Sequence, residues 1–287
     1  MNGIYKYVIS NTNDVQGTDG NGLQRFLQQG AQVGDMSSIN DDGDSMVLWQ
    51  WVAGGTSTPS VNTDAGFSIA KYTGNGSAGN TVTHSLGVAP EFICVKKLAD
   101  GDDATNRHWA VYHVSEGNTK YGLLSDGNAF GTSSGYWNNT TPGTSTFTVG
   151  TDDSVNGNNA PYVAYCWAGV EGYSKFGSYF GNGDNDGITL YLGFRPSYVL
   201  IKDTGAAATN WNIFDDQRDP YNPITQQLLA NSTSAEATQS ARCDFLAQGI
   251  KFRVSTGDIN NSGNSFIYAA FAENPFGGSG VAQAKAR

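Results

Sequence analysis

The phrase Leu-Gly-x-x-Pro, one further residue and an apolar run ending in lysine stands twice in this chain, at 86–96 and at 192–202. The correspondence continues on both sides. Tyr72-Thr73-Gly74-Asn75-Gly76 matches Tyr179-Phe180-Gly181-Asn182-Gly183, and Trp109-Ala110-Val111-Tyr112 matches Trp211-Asn212-Ile213-Phe214. Val155-Asn156 matches Ile259-Asn260, and eleven residues past each Asn stands an aromatic, Trp167 or Phe271. The offset stays near 105 residues, which is a domain duplication rather than a solenoid repeat.

A third, partial copy precedes these. Phe26-Leu27-Gln28-Gln29-Gly30 matches Phe245-Leu246-Ala247-Gln248-Gly249 at four of five positions, Ile39-Asn40 matches Ile259-Asn260, and Trp51 again falls eleven residues after the Asn. Tyr7-Val8-Ile9-Ser10-Asn11 lies on Gln227-Leu228-Leu229-Ala230-Asn231 with one indel. The organisation read from this is a partial module over 1–55, a Gly/Ser/Thr/Pro linker over 56–65, module A over 66–171, module B over 172–276 and a tail over 277–287.

The repeated phrase has a mechanical reading. Gly87 and Gly193 permit a turn that a side chain would oppose, and Pro90 and Pro196 suit the start of a strand because they lack an N–H. In the strand that follows, Phe92, Cys94 and Lys96 face one way and Ile93 and Val95 the other. Both faces are apolar, as in a central strand covered on each side. The phrase lacks the Gly-Lys-Ser/Thr ending of a phosphate loop. Each module also closes on an alternating strand, with Val47/Trp49/Trp51, Val163/Tyr165/Trp167 and Ile267/Ala269/Phe271 on one face.

Composition agrees with short strands and turns. Aromatics make 12% of the 287 residues, charged residues only 15%, and there are 37 glycines. Aromatic and β-branched side chains fit pleated surfaces, and Gly and Asn supply positive φ. The expected class is all-β: tandem antiparallel β-sandwich modules, jelly-roll-like. A net charge of −10 argues against a nucleic-acid partner, which needs clustered Lys and Arg. No apolar run is long enough to span a membrane as a helix, and the N-terminus shows no signal-peptide core.

The candidate chemistry is thin. His84, His108 and His113 have no metal-ligand or zincin spacing. Cys94, Cys166 and Cys243 read as core thiols. The acidic clusters, among them Asp184-Asn185-Asp186-Gly187, resemble Asx-Gly turns more than calcium loops; calcium is a weak candidate at 182–187, and no other cofactor is expected. Tyr136-Trp137-Asn138-Asn139 combines rings and amides as a glycan platform does. The plainer alternative, that Trp137 caps a core or sits in an interface, is the stronger. Tyr221, in Asp219-Pro220-Tyr221-Asn222-Pro223, is a second candidate contact on a rigid turn. No catalytic residues are assigned, and the chain is not expected to be an enzyme.

The string that runs from Gly66-Phe67-Ser68-Ile69-Ala70-Lys71 through the phrase at 84–97, Tyr136-Trp137-Asn138-Asn139-Thr140-Thr141-Pro142 and 162–179 resembles a repeated β-rich module of tail-fibre-like structural proteins of marine bacteriophages, cyanophages especially. The ending Ile267–Phe276 is similar to the close of that family's last module. The likeness covers 66–276 well and 4–55 more weakly. It implies a structural virion protein of a tail fibre, tail or surface appendage, with itself (trimer or filament) and other virion proteins as partners, and host-surface glycan as a contact. It assigns no ligand residues. Relatives carry a full module upstream, so this chain is read as starting within a module. The alternative is a microbial extracellular filament subunit or a lectin-like carbohydrate-binding module. In either case the partial module, with strands expected at 5–9, 25–33 and 46–52, leaves apolar surface that the downstream modules or another subunit must cover.

Overall fold

The computed structural model describes residues 5–27, 30–55, 57–102, 105–255 and 257–272. The tail expected over 277–287 lies outside them. Twenty-one strands and three four-residue helices are present among the described residues, and every strand pair is antiparallel. The all-β class is as expected.

A seven-stranded sheet is drawn from residues 60–167. Within it Pro161–Trp167 is flanked by Phe67–Thr73 on one side and by Phe92–Lys97, then Ala110–His113, on the other. Thr146–Val149 and Asn80–Thr83 pair separately, and their Phe147, Val149 and Val82 meet Ile93, Val95 and Ala164 of the large sheet in one buried cluster. That is a sandwich: two β layers closing on one core.

Residues 174–272 repeat the plan in an eight-stranded sheet. Ser265–Ala272 lies between Ser174–Phe180 and Pro196–Asp203, as Pro161–Trp167 lies between its neighbours. Gly249–Phe252 with Thr189–Tyr191 takes the place of the separate pair. The ten-residue strand Ala237–Leu246 joins the two layers into one continuous sheet. In the first sandwich the corresponding interval instead holds the helix Ser134–Trp137.

The turn phrase behaves as its residues require. Gly87 has φ +79° and Gly193 φ +89°, and Phe92–Lys97 is buried along its whole length. Ile93 and Val95 enter the sandwich core. Phe92 and Cys94 enter a different cluster, shared with Phe176, Leu200 and Phe271 of the second sandwich. The second apolar face of the repeated strand thus packs one sandwich on the other.

Two expectations change. The stretch read as linker contains the strand Ser60–Asn62, which pairs with Phe67–Thr73 at the sheet edge. Residues 46–52 form no strand. Their exposure nonetheless alternates, with Val47, Trp49 and Trp51 half-buried and Met46, Leu48 and Val52 exposed. In both sandwiches the closing strand is hydrogen-bonded on both sides. The segment 46–52 lacks those neighbours.

Candidate assembly face

The N-terminal segment, 5–55, is attached to the first sandwich by the same bonds that attach the first to the second. Trp211 Nε1 donates to Leu123 O at 2.9 Å, and its counterpart Trp109 Nε1 donates to Ile9 O at 2.8 Å. Phe130 N donates to Thr204 O at 2.9 Å, and Gln16 N to Leu98 O at 2.9 Å. The acceptor strands share their register: Lys120-Tyr121 pairs with Gly131-Thr132, and Lys6-Tyr7 with Gly17-Thr18. A buried lysine follows the same rule, since Lys202 Nζ reaches Gly127 O at 3.5 Å and Lys96 Nζ reaches Thr12 O at 3.4 Å.

The segment also touches the second sandwich, so three units meet. Ser10 Oγ donates to Ala230 O at 2.7 Å. The equivalent aromatics of the three closing segments converge, with ring centroids 6.4 Å apart for Trp51 and Trp167 and 5.4 Å apart for Trp51 and Phe271. Trp49 lies edge-on to Tyr198 at 5.3 Å, and the Arg218 guanidinium sits 5.9 Å from its centroid, a cation–π distance. Between the segment and the two sheets lies an apolar cavity of about 510 Å³, lined by Phe26, Trp49, Cys94, Tyr165 and Leu200 among others. The indole N–H groups of Trp49 and Trp167, on its wall, are buried without a hydrogen-bond partner among the described residues.

The segment leaves much of its apolar surface exposed, part of it along this cavity. Nine of the fourteen exposed large apolar side chains among the described residues fall within 5–52, including Phe26 at 63%, Leu48 at 62% and Val52 at 66%. Surface apolar residues scattered singly mean little, but a concentration of them in one segment is a candidate for an interaction surface.

A family model with the description Domain of unknown function (DUF7483) matches residues 1–275. The chain belongs to that family. No curated protein and no solved structure matches the chain. The DUF7483 match takes in the N-terminal segment together with both sandwiches.

The candidate contact residues of this DUF7483 chain do not come together. Trp137 is 1% exposed and Tyr136 6%, so neither ring can serve as a glycan platform, and that expectation is corrected. Trp137 instead meets Tyr112 and Phe147 edge-on, and Tyr136 stacks on Tyr121 at 3.7 Å. The helix carries them inward because Ser133 caps it by accepting from Gly135 N, and Asn138 ends it in the left-handed region at φ +51°. Asn138 and Asn139 (φ +49°) are turn residues at the surface. Tyr221 alone presents an exposed ring, at 83%. Its loop is held by Asn222, which donates to Phe245 O and accepts from Phe245 N.

The acidic turn at 182–187 satisfies its own oxygens. Asn182 Oδ1 accepts from Asp184 N, Asp184 Oδ1 accepts from Asp186 N, and Asp186 pairs with Lys251 at 2.7 Å. Among the described residues no three His, Cys, Asp or Glu side chains cluster as a metal site would require.

The buried ionisable groups are engaged in joining pieces of the fold. His113, in the first sandwich, bonds through Nε2 to Tyr268 O of the second at 3.1 Å and accepts from Ser115 N. Burial pushes its pKa down to about 4, so the ring is neutral with its proton on Nε2. Burial likewise pushes Lys96 and Lys202 down to about 8. Lys202 donates to Asp203 O and Thr209 Oγ1, and Lys96 to Arg107 O.

A further role escaped the sequence reading. Asn156, fully buried, donates to Gly150 O at 2.6 Å and Ser77 O at 2.8 Å and accepts from Asn75 N at 3.0 Å. Asn260 repeats this with Val254 O at 2.6 Å, Asp184 O at 3.0 Å and Asn182 N at 3.1 Å. Each Asn pins the Gly-Asn-Gly turn of its module's first half to the second half. The recurrence of both elements in both copies was the available signal.

Proposed function

We propose that this DUF7483 chain is a non-enzymatic structural subunit of a bacteriophage particle, placed in a tail fibre, tail or surface appendage, and that it assembles with other chains of the particle through the exposed apolar side chains of residues 5–52. The observation that carries the reading is the concentration of exposed apolar side chains on a segment already bonded to both sandwiches. Fully burying a side chain such as Phe26 or Leu48 stabilises by about 1.5–3 kcal/mol, so covering several of them supports a lasting contact. The use of His113, Lys96 and Lys202 to join units supports a structural role. The likeness of the repeated phrases to marine phage tail-fibre modules supports the location. Of the candidate contact rings, Tyr221 is the one exposed enough for a host-glycan contact.

Immunogold labelling of particles purified from lysates of the source tests the location. Label on the tail or its appendages is expected; label confined to the particle-free fraction overturns it. A Phe26→Asp/Leu48→Asp variant that still folds is expected to be missing from particles, and normal incorporation would remove this face from the reading.

A further inference from the structure

One face of the first sandwich's large sheet forms the floor of the apolar cavity. Phe67, Ile69 and Lys71 pair in register with Trp167, Tyr165 and Val163, and all six line it. From Phe67 to Lys71 is four residues along the strand, about 13 Å at roughly 3.3 Å per residue. The roof is the N-terminal segment, with Tyr7, Phe26, Leu48, Trp49 and Trp51, and the second sandwich adds Tyr198, Leu200 and Phe271. Phe26 and Leu48 are largely exposed, so solvent reaches the cavity along its roof. A concave space of about 300–1,000 Å³ with apolar and aromatic walls and a few polar groups is the usual form of a small-molecule site. This one, at about 510 Å³, falls within that range.

The two ends of the floor differ in chemistry. At the Phe67 end the rings crowd together. Phe67 stacks on Trp167 at 4.8 Å, Trp51 lies 6.4 Å from Trp167, and both Trp51 and Trp49 lie 5.3 Å from Tyr198. The two unsatisfied indole donors, Trp49 Nε1 and Trp167 Nε1, belong to this group, and a buried donor is destabilising until an acceptor reaches it. At the other end stand Lys71 and Lys6, which also line a second cavity of about 430 Å³. Among the described residues neither ammonium has an ion pair or a hydrogen bond, although the chain carries 26 acidic residues against 16 basic ones. A lysine on an apolar wall lays its stem along the wall and holds its charge at the edge.

We infer that the cavity is a binding site for an unbranched amphipathic carboxylate that carries an oxygen at the far end of its chain. The carboxylate sits between Lys6 and Lys71, where charge-assisted hydrogen bonds replace water on both ammonium groups. The apolar chain lies along Ile69 and Tyr165, and the far oxygen accepts from an indole N–H of Trp167 or Trp49. A plain hydrocarbon would leave both ends of the floor unmet, and a polar ligand would leave the aromatic middle unfilled. The site is distinct from the assembly reading. Tyr7, Phe26 and Leu48 line the cavity, whereas Ile9, Leu27, Val33, Met46 and Val52 are exposed elsewhere on the segment.

The probe is 12-hydroxydodecanoate, titrated into the full chain below its micelle-forming concentration. Tryptophan fluorescence and calorimetry follow it, since Trp49, Trp51, Trp109 and Trp167 all line the cavity. Saturable one-to-one binding in the micromolar range is expected. A Lys6→Met/Lys71→Met chain should bind the acid at least tenfold more weakly while binding its methyl ester as the parent does, and Lys6→Arg/Lys71→Arg should keep the affinity. Neither lysine has a partner to lose, so both variants should fold, which an unchanged melting temperature checks. Dodecanoate, which lacks the far oxygen, should bind several-fold more weakly than the hydroxy acid. No saturable binding, or equal affinity in the parent and the methionine variant, overturns the inference. Dodecanoate bound as tightly as the hydroxy acid overturns the assignment of the indole end.

Discussion

The indole N–H of Trp109 lies 2.8 Å from the carbonyl oxygen of Ile9, one hundred residues earlier in the chain. Trp211 makes the equivalent bond to Leu123 at 2.9 Å. The N-terminal segment is therefore to the first sandwich what the first sandwich is to the second. These two bonds can be removed while their rings are kept. Trp211→Phe is expected to cost about 1 kcal/mol, seen as a melting temperature lowered by about 2–4 °C. Trp109→Phe should cost a similar amount locally, speeding proteolysis and hydrogen exchange over 5–18 and leaving the amides of Phe92–Lys97 and Pro196–Asp203 unchanged. Equal loosening of all three units by Trp109→Phe would contradict this account.

The three module asparagines should differ sharply. Asn156 and Asn260 each satisfy several buried backbone groups. Alanine there strands those groups away from water, at a cost of about 3 kcal/mol or more. Asn40 is exposed with one such bond, so Asn40→Ala should cost about 1 kcal/mol or less. Denaturant unfolding of the three variants measures the contrast, and a large loss at Asn40 alone would mean the segment is tighter than its exposure implies.

Acid should loosen the junction between the sandwiches. His113 is buried there and held neutral, its pKa pushed by burial from 6.5 to about 4. Between those values the unfolded chain binds a proton that the folded chain does not, so stability falls as pH drops from about 6.5 and the full loss is reached below about 4. The depression corresponds to about 3 kcal/mol. His84, also lowered by burial, adds in the same direction. A His113→Gln variant, compared with the parent by urea unfolding at pH 7 and pH 4.5, should lose much less stability between the two. A parallel pH dependence would show that His113 titrates normally.

The thiols should be silent in the native protein. All three cysteines are buried. Burial pushes Cys94 up to about 12 and raises Cys166 and Cys243 as well. Since the thiolate is the nucleophile, a disulfide reagent at pH 8 should label none of them until denaturant is added, and then all three. Labelling of Cys94 in the folded chain would show the aromatic cavity to be freely open.

How much was legible differs from residue to residue. Gly87 and Gly193 adopt the positive φ that their place in the phrase suggested, because a turn's dihedral limits act within a few residues. The faces of Pro161–Trp167 and Ser265–Ala272 follow the alternation read from the chain. Trp137 was not settled by its neighbours. Its Ser/Gly/Thr surroundings read as a loop, and a four-residue helix capped by Ser133 turns the ring into the core. The segment 46–52 has the pattern of a strand but no strand beside it, and backbone pairing is made by neighbours that pattern alone does not supply.

The sequence by itself determined that the chain is built from repeated β units, where the strand after the repeated phrase and the closing strand of each sandwich lie, and which positions along them are apolar. Those are properties of local dihedral preference and two-residue alternation. Only the tertiary structure decided what each apolar face meets. Phe92–Lys97 is apolar on both sides, and alternation says that each side is buried without saying against what. One side closes a sandwich and the other joins two of them. Burial is a relation between surfaces far apart in the chain, so Phe245 is enclosed while Phe26, the same residue in the same hairpin register, stands open.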